Sequence, residues 1–308
     1  MERFLWLISD NARACLILGL ALGLALPGLA AAMASWLPQM VAGLLVITAL
    51  RIGHRAATGA LADLRWGLGS VALLQLVLPV SLFAVCRVIG VEQTPAALAV
   101  VLATAAPALS GSPNLALLLG QDAGRMMQIL VLGTACFPLT VLPVLALIPQ
   151  AGSAEDIAVP ALTLLAVILG STTLGFVLRA RFFPAPSADR IRSLDGLSVL
   201  AFSAIVIGLM AALNPALRSD PMSVLWWGLL AFALSYGIQV ITFLLLSRSA
   251  LSPLAGPLAI GAGNRNIALF LVAMPSEFIG PLMVFVGCWQ LPMYLTPILL
   301  RRLYQAGT

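Results

Sequence analysis

Apolar residues fall in ten blocks, at 14–33, 37–52, 64–89, 95–119, 126–148, 157–178, 197–213, 222–246, 254–274 and 279–300, with short polar stretches between them. Each is close to the roughly 17–25 residues that a helix needs to cross a hydrocarbon layer. The pattern predicts an all-α polytopic membrane protein of ten transmembrane helices, with no room for a separate soluble domain. The longest polar stretch, RARFFPAPSADRIRSLD at 179–195, joins the sixth and seventh blocks. The first block ends in LAAAMAS, as a secretory signal does. Asp10 and Arg13 stand in front of it and nine blocks follow, so it reads as the first span.

Composition sharpens the class. Charged residues make up 9% of the chain, against about 25% in ordinary soluble domains. All sixteen basic residues are arginine. Counting loops alternately puts thirteen on one side and only Arg87 and Arg218 on the other; Arg265 falls within a span. By the positive-inside rule both termini are expected in the cytoplasm, in a bacterial inner membrane. The basic balance thus reports topology: lipid is the expected partner, and nucleic acid is not. Trp36, Trp66, Trp226 and Trp227 lie near block ends, where interfacial anchors belong. Cys15, Cys86, Cys136 and Cys288 sit in apolar blocks without CxxC spacing and read as buried thiols, not as a metal site or disulfide.

The chain also repeats itself. GSPNLALLL at 111–119 and GNRNIALFL at 263–271 share five of nine positions, 152 residues apart. FPLTVLP at 137–143 and LPMYLTP at 291–297 share P-x4-P, 154 residues apart. The two echoes fall in the fourth and fifth members of each half. Residues 1–150 and 151–308 therefore read as two five-helix repeats, and an odd number of spans per half makes the second insert upside down.

The repeated tetrapeptides break their helices. Pro107, Gly111 and Pro113 interrupt the fourth span; Gly261 and Gly263 interrupt the ninth beside Asn264, Arg265 and Asn266. Paired interruptions in inverted halves point to a transporter's binding site, because loose backbone at membrane depth survives only in protein or beside a wet cavity. Asn114 and Asn266 open the second half-helices, where each could cap free N–H groups or turn toward a ligand. Thr104, Ser110 and Ser112 flank the first break within reach of a ligand. Arg265 is the one charge deep within a span, at a cost of about 2.5–3.5 kcal/mol on insertion scales. Two roles stay open for it: tying down carbonyls where the broken helices meet, or holding an anionic substrate through its planar fork of donors.

At this point the sequence resembles the bile acid:sodium symporter family. LLQLVLP at 73–79, APALSGSPN at 106–114 and GAGNRNIAL at 261–269 carry the resemblance. It implies broken helices four and nine crossing at the midplane. It also implies a core of spans three to five and eight to ten, and a panel of spans one, two, six and seven. It further implies a sodium site, of which Gln75 and Asn114 match the family. Gly261 stands where coupled members carry glutamate, Arg265 aligns with a glutamine, and Met126 and Leu130 replace expected hydroxyls. A cation 4 Å from Arg265 would be repelled by about 4 kcal/mol at an effective dielectric of 20. The guanidinium is therefore expected to stand in for the cation, with no bound cofactor.

The expected function is transport of a small organic anion by alternating access, uncoupled from sodium. Two alternatives remain: an ordinary sodium-coupled symporter, and a membrane sensor that binds without moving its ligand. An intramembrane enzyme lacks support, since no base accompanies the serines of SGSPN and the single histidine, His54, falls in a loop. Glu92 and Glu277 read as solvated helix ends.

Overall fold

The computed structural model describes residues 2–59, 63–148 and 154–305. The side chain of His54, and the turn at 149–153 expected to join the two halves, lie outside the described residues. The chain opens with α1 (Glu2–Asp10), α2 (Ala12–Ala25), α3 (Pro27–Ala34) and α4 (Leu37–Gly59). Then α5 (Leu64–Ala72) passes through a π turn at Leu73–Val77 into α6 (Leu78–Val88). Next come α7 (Pro95–Ala105), α8 (Ser112–Leu118), α9 (Ala123–Leu145), α10 (Ala154–Phe182), α11 (Ala188–Leu209) and α12 (Leu213–Ser219). Last are α13 (Pro221–Ser247), α14 (Ala255–Gly263), a 3-10 turn at Ile267–Val272, α15 (Ser276–Ile279), α16 (Met283–Leu299) and α17 (Arg301–Gln305). Six helices are long and apolar enough to cross a membrane, or up to eight if each of two bent pairs counts as one span. The protein is all-helical and membrane-embedded; among the described residues the only β pairing is one isolated bridge, Ala108 with Arg265.

The helices depart from the apolar blocks where backbone chemistry overrides hydropathy. Block 14–33 divides because Leu26 leaves the helix (φ −119°, ψ 78°) ahead of Pro27, which then opens α3. The polar stretch 179–195 is mostly helix, since α10 runs on to Phe182 and α11 starts at Ala188. Ser187 accepts a hydrogen bond from the Arg190 amide and Asp189 sits in the first turn, so a capped polar turn precedes the apolar one. Residues 2–10, outside every block, form α1, which bends 87° from α2. The Trp6 indole donates to the Asp189 carbonyl (3.1 Å) and to Ser193 Oγ (3.0 Å), and Asp10 pairs with Arg192.

Two groups of helices follow from the packing. In one, α4 lies along α10 and α11, and α11 also carries α1, α2 and α3. In the other, α13 packs against α14 and α16, and α9 against α5, α8 and α14. A buried apolar cluster with Leu44, Leu102, Phe137, Leu209 and Phe285 runs between the groups. Where α5 and α9 begin, Asp63 bonds Arg125 (2.8 Å), whose guanidinium also stacks on Trp66 at 4.6 Å. That hydrogen bond holds the Asp63 carboxyl below its usual range, so the pair persists at neutral pH and is lost only in acid.

A special backbone position follows Arg51 in α4. Gly53, inside α4, has φ 73° and ψ 159°, a region essentially closed to other residues. Arg179 caps the interrupted turn by donating to the carbonyls of Leu50 (2.6 Å) and Arg51 (2.9 Å). A Cβ at Gly53 would sit 3.1 Å from the Arg179 Cζ. Gly53→Ala is expected to destabilise by about 1–3 kcal/mol through backbone strain. A thermal unfolding curve of the detergent-solubilised variant checks it; an unchanged midpoint would mean that α4 straightens at no cost.

Candidate functional site

The two broken segments cross as extended chains. The Leu109 amide donates to the Asn264 carbonyl (2.9 Å), and the Asn266 amide donates to the Pro107 carbonyl (2.8 Å). This is the antiparallel bridge between Ala108 and Arg265. Backbone groups released by Pro107 and by the end of α14 thus satisfy each other, as buried backbone must. Both α7 and α14 point their C-termini at the crossing. Two helix C-termini bring about half a negative charge each, which together balance about one cation.

Arg265 is that cation. It is 1% exposed, and each of its three guanidinium nitrogens donates to a different carbonyl. Nε reaches Ala262 O at 2.8 Å, Nη1 reaches Ala106 O at 2.9 Å, and Nη2 reaches Leu74 O at 2.8 Å. Each carbonyl is free for a local reason. Asn266, whose amide would bond back to Ala262 in a continuous helix, is spent on Pro107. Ala106 ends α7 with an extended backbone at ψ 150°. In the π turn Leu78 donates to Leu73 O, and Pro79 has no N–H to offer Leu74. One side chain therefore ties three interrupted elements together. Hydrogen bonds to a charged group contribute about 1.5–3 kcal/mol each, which offsets the cost of burying the charge. No described carboxylate pairs with it.

A buried polar network holds the other side of the second break. Asn264 donates to Gln239 Oε1 (3.2 Å) and to Ile260 O (3.0 Å), and accepts from Thr296 Oγ1 (3.2 Å). Tyr304 donates to Gln239 Oε1 (3.0 Å), Ser235 to Gly263 O (2.9 Å), and the Trp289 indole to Arg265 O (3.1 Å). Gly263 is required here: a Cβ would lie 2.3 Å from the Ser235 carbonyl oxygen.

The crossing opens onto a cavity of about 210 Å³ at the arginine-rich end, between α2, α4, α8, α11 and α16. Its polar lining includes Arg13, Arg51, Thr48, Ser110, Asn114 and Asp195, and its apolar wall includes Leu16, Ile17, Phe202 and Ile298. Arg51 Nε pairs with Asp195, and Arg51 Nη2 donates to Asn114 Oδ1 at 3.0 Å. Arg51 and Asp195 come from the first helix group and Asn114 from the second. A second cavity, of about 490 Å³ at the opposite ends of α7 and α9, is lined by Gln93, Asp156 and Glu277 among apolar residues and carries no arginine.

The residues singled out in the sequence divide between these places. Asn264, Arg265 and Asn266 are buried at the crossing and line neither cavity. Ser110, Gly111 and Asn114 line the smaller one. Thr104 is buried and donates back to Val100 O (2.8 Å) in its own helix. Ser112 is buried, and its hydroxyl has no hydrogen-bond partner among the described residues. Pro113 sits in the first turn of α8, Pro107 supplies its carbonyl to the crossing, and Gly261 lies inside α14 against Met126, where it breaks no helix. The capping reading of the two asparagines is not what the structure has: Gly111 precedes α8, and Asn266 makes no side-chain cap. Asn114 lies one turn further in and faces Arg51 instead.

The residues that the family resemblance would assign to sodium do not fit that ion. Gln75 donates to Gly133 O (3.0 Å) and its own oxygen accepts from Thr140 (2.7 Å). Asn114 Oδ1 is held by Arg51, Gly261 has no side chain, and the carbonyls of Leu74, Ala106 and Ala262 receive Arg265. Among the described residues no cluster of His, Cys, Asp and Glu could hold a metal ion.

Sequence reasoning passed over the cavity's cations, counting Arg13 and Arg51 only as topology markers. Arg51 lies one residue from the end of the block 37–52, where a topology marker and an inward-facing arginine look alike. No protein-family model matches the chain, and no curated protein matches it.

Proposed function

We propose that the protein is a secondary transporter of a small organic anion that works by alternating access without sodium, as a divergent relative of bile acid:sodium symporters. The observation that carries this reading is the Arg265 guanidinium, bonded at once to the carbonyls of Leu74, Ala106 and Ala262 where two broken helices cross. Crossed broken helices suit a transport site. A covalently attached cation removes the need for a mobile one, and it does so in every state of the cycle.

In this reading each bent or broken pair is one span, giving ten in two inverted five-helix repeats. The group containing the crossing is the core, and the group of α1–α4, α10 and α11 is the panel that moves against it. Both termini and the small cavity face the cytoplasm of a bacterial cell, on the side that carries most arginines. The anion sits in the cavity beside Arg13, Arg51, Ser110 and Asn114, and Arg265 acts behind it as a fixed support of the core.

Two experiments test the reading. In a melting series with choline replacing sodium at constant ionic strength, the midpoint is expected to stay flat. A sodium ion at ten times its dissociation constant would stabilise by about 1.4 kcal/mol, and a saturable shift of that kind would return the protein to the sodium-coupled class. In proteoliposomes, counterflow of radiolabelled 1-hexanesulfonate, adipate and cholate is measured without a sodium gradient. Accumulation of any of the three supports transport. Binding without counterflow would make the protein a ligand sensor.

A further inference from the structure

The small cavity carries enough chemistry to name the class of anion, taking as given that it is the transport site. Its charged side chains are Arg13, Arg51 and Asp195, a formal sum of +1. Asp195 is already paired with Arg51, while Arg13 makes no hydrogen bond or ion pair among the described residues. The Ser110 hydroxyl likewise has no partner among them. The lining is polar at the Arg13 and Arg51 end and apolar along Leu16, Ile17, Phe202 and Ile298. Its volume of about 210 Å³ equals that of about seven liquid waters.

We propose that this cavity binds a small, singly charged carboxylate or sulfonate with a short apolar tail, and that Arg51 is the residue that exchanges partners to take it. One anionic charge neutralises the site, and two would overfill it. A chain of about eight heavy atoms matches a space of about seven waters, whereas a steroid acid with several times as many must leave most of its skeleton outside. The exchange has a direction. The Arg51–Asn114 bond is to a neutral amide oxygen, whereas a carboxylate oxygen carries the opposite charge and completes an ion pair. The incoming anion therefore displaces Asn114 and not Asp195. Because Arg51 belongs to α4 and Asn114 to α8, the displacement undoes a hydrogen bond between the two helix groups that must move apart. Specificity and release of the panel come from the same contact.

The test uses the purified full-length protein in detergent, with melting followed at constant ionic strength in hexanoate, adipate, hexanamide and cholate. Hexanoate is expected to give a saturable stabilisation; the other three are expected to bind at least about tenfold more weakly. Arg13→Gln neutralises the cavity at a side chain without partners. It should leave the anion-free midpoint unchanged and weaken hexanoate by about tenfold. Asp195→Asn raises the formal charge to +2 and should bring adipate to at least the affinity of hexanoate. If Asp195→Asn does not fold, the Arg13→Gln titration still decides.

Equal binding of hexanoate and adipate by the wild type, no response to hexanoate, or an Arg13→Gln variant with wild-type affinity would each overturn the assignment. The failures separate cleanly. Counterflow of adipate or cholate with no binding of hexanoate would sink the anion class and leave transport standing. Binding of hexanoate with no counterflow of any probe would sink transport and leave the class standing.

Discussion

Arg265→Met is expected to cost the protein about 3–5 kcal/mol or more, enough to remove most of the monodisperse material from a detergent extract. Methionine preserves length and apolar bulk, so the loss isolates the guanidinium. Three carbonyls, of Leu74, Ala106 and Ala262, would lose the donor that holds them at a buried crossing. Each unsatisfied group costs about 1–3 kcal/mol. The C-termini of α7 and α14 would also face each other without a balancing charge. Arg265→Lys should fall between the two. It keeps the charge, but one nitrogen cannot spread over carbonyls that three separate nitrogens now reach. Melting midpoints and size-exclusion profiles of the three proteins give the order directly. A methionine variant as stable as the wild type would mean that the carbonyls find other donors, and the fixed-cation reading would fall with it. A role confined to substrate contact would give the opposite pattern, with intact stability and lost binding.

The breaks themselves were legible in the sequence because proline and glycine act locally. Pro107, Gly111, Pro113 and Gly263 stand at the interruptions, whereas Gly261, read as part of the second break, lies inside α14, and Pro138, Pro143, Pro292 and Pro297 leave α9 and α16 continuous. Arg265 was legible too, as the one charge far from any block end. Its partners were not. The Leu74 carbonyl is available only because a π turn shifts one hydrogen bond ahead of Pro79, and nothing in the hydropathy of LLQLVLP announces a π turn. The two asparagines illustrate the same limit. Asn is a good cap, yet Asn114 lies a turn inside α8, where a side chain from the other helix group claims it.

The cavity was hidden for a different reason. An arginine that marks the cytoplasmic face and an arginine that turns inward occupy the same position at the end of a span. Counting charges per loop cannot separate them. Gly53 is what distinguishes Arg51: the chain leaves helical geometry two residues later, and Arg179 caps the carbonyls so released. The helix is interrupted here by the Gly53 backbone, directly after the apolar block ends at residue 52. Short or polar helical segments were missed for the converse reason. The apolar run of α1, Phe4–Ile8, is too short to span a membrane and the first turns of α11 have none; both are held by capping and by the contacts of Trp6, Asp10, Ser187 and Arg192.

Trp289 was also read past, since tryptophans in membrane chains usually mark interfaces. It is 0% exposed, stacks beside Phe285 at 5.6 Å, and gives its indole N–H to the Arg265 carbonyl at 3.1 Å. Trp289→Ala is expected to cost about 3–5 kcal/mol, as truncation of a buried aromatic does when its surroundings relax only in part. Trp289→Phe separates the two components. It keeps most of the volume and removes the donor, so its cost should be the about 1–3 kcal/mol of one orphaned carbonyl. Both act on the same extended segment, Asn264–Asn266, that carries the guanidinium. The double variant Trp289→Phe with Arg265→Lys should therefore depart from additivity by about 0.5–3 kcal/mol, the range for residues that share a partner. Melting curves of the two single variants and the double close the cycle. Strict additivity would mean that the Arg265 backbone and its side chain are held independently, and that the crossing is not one cooperative unit built around a single residue.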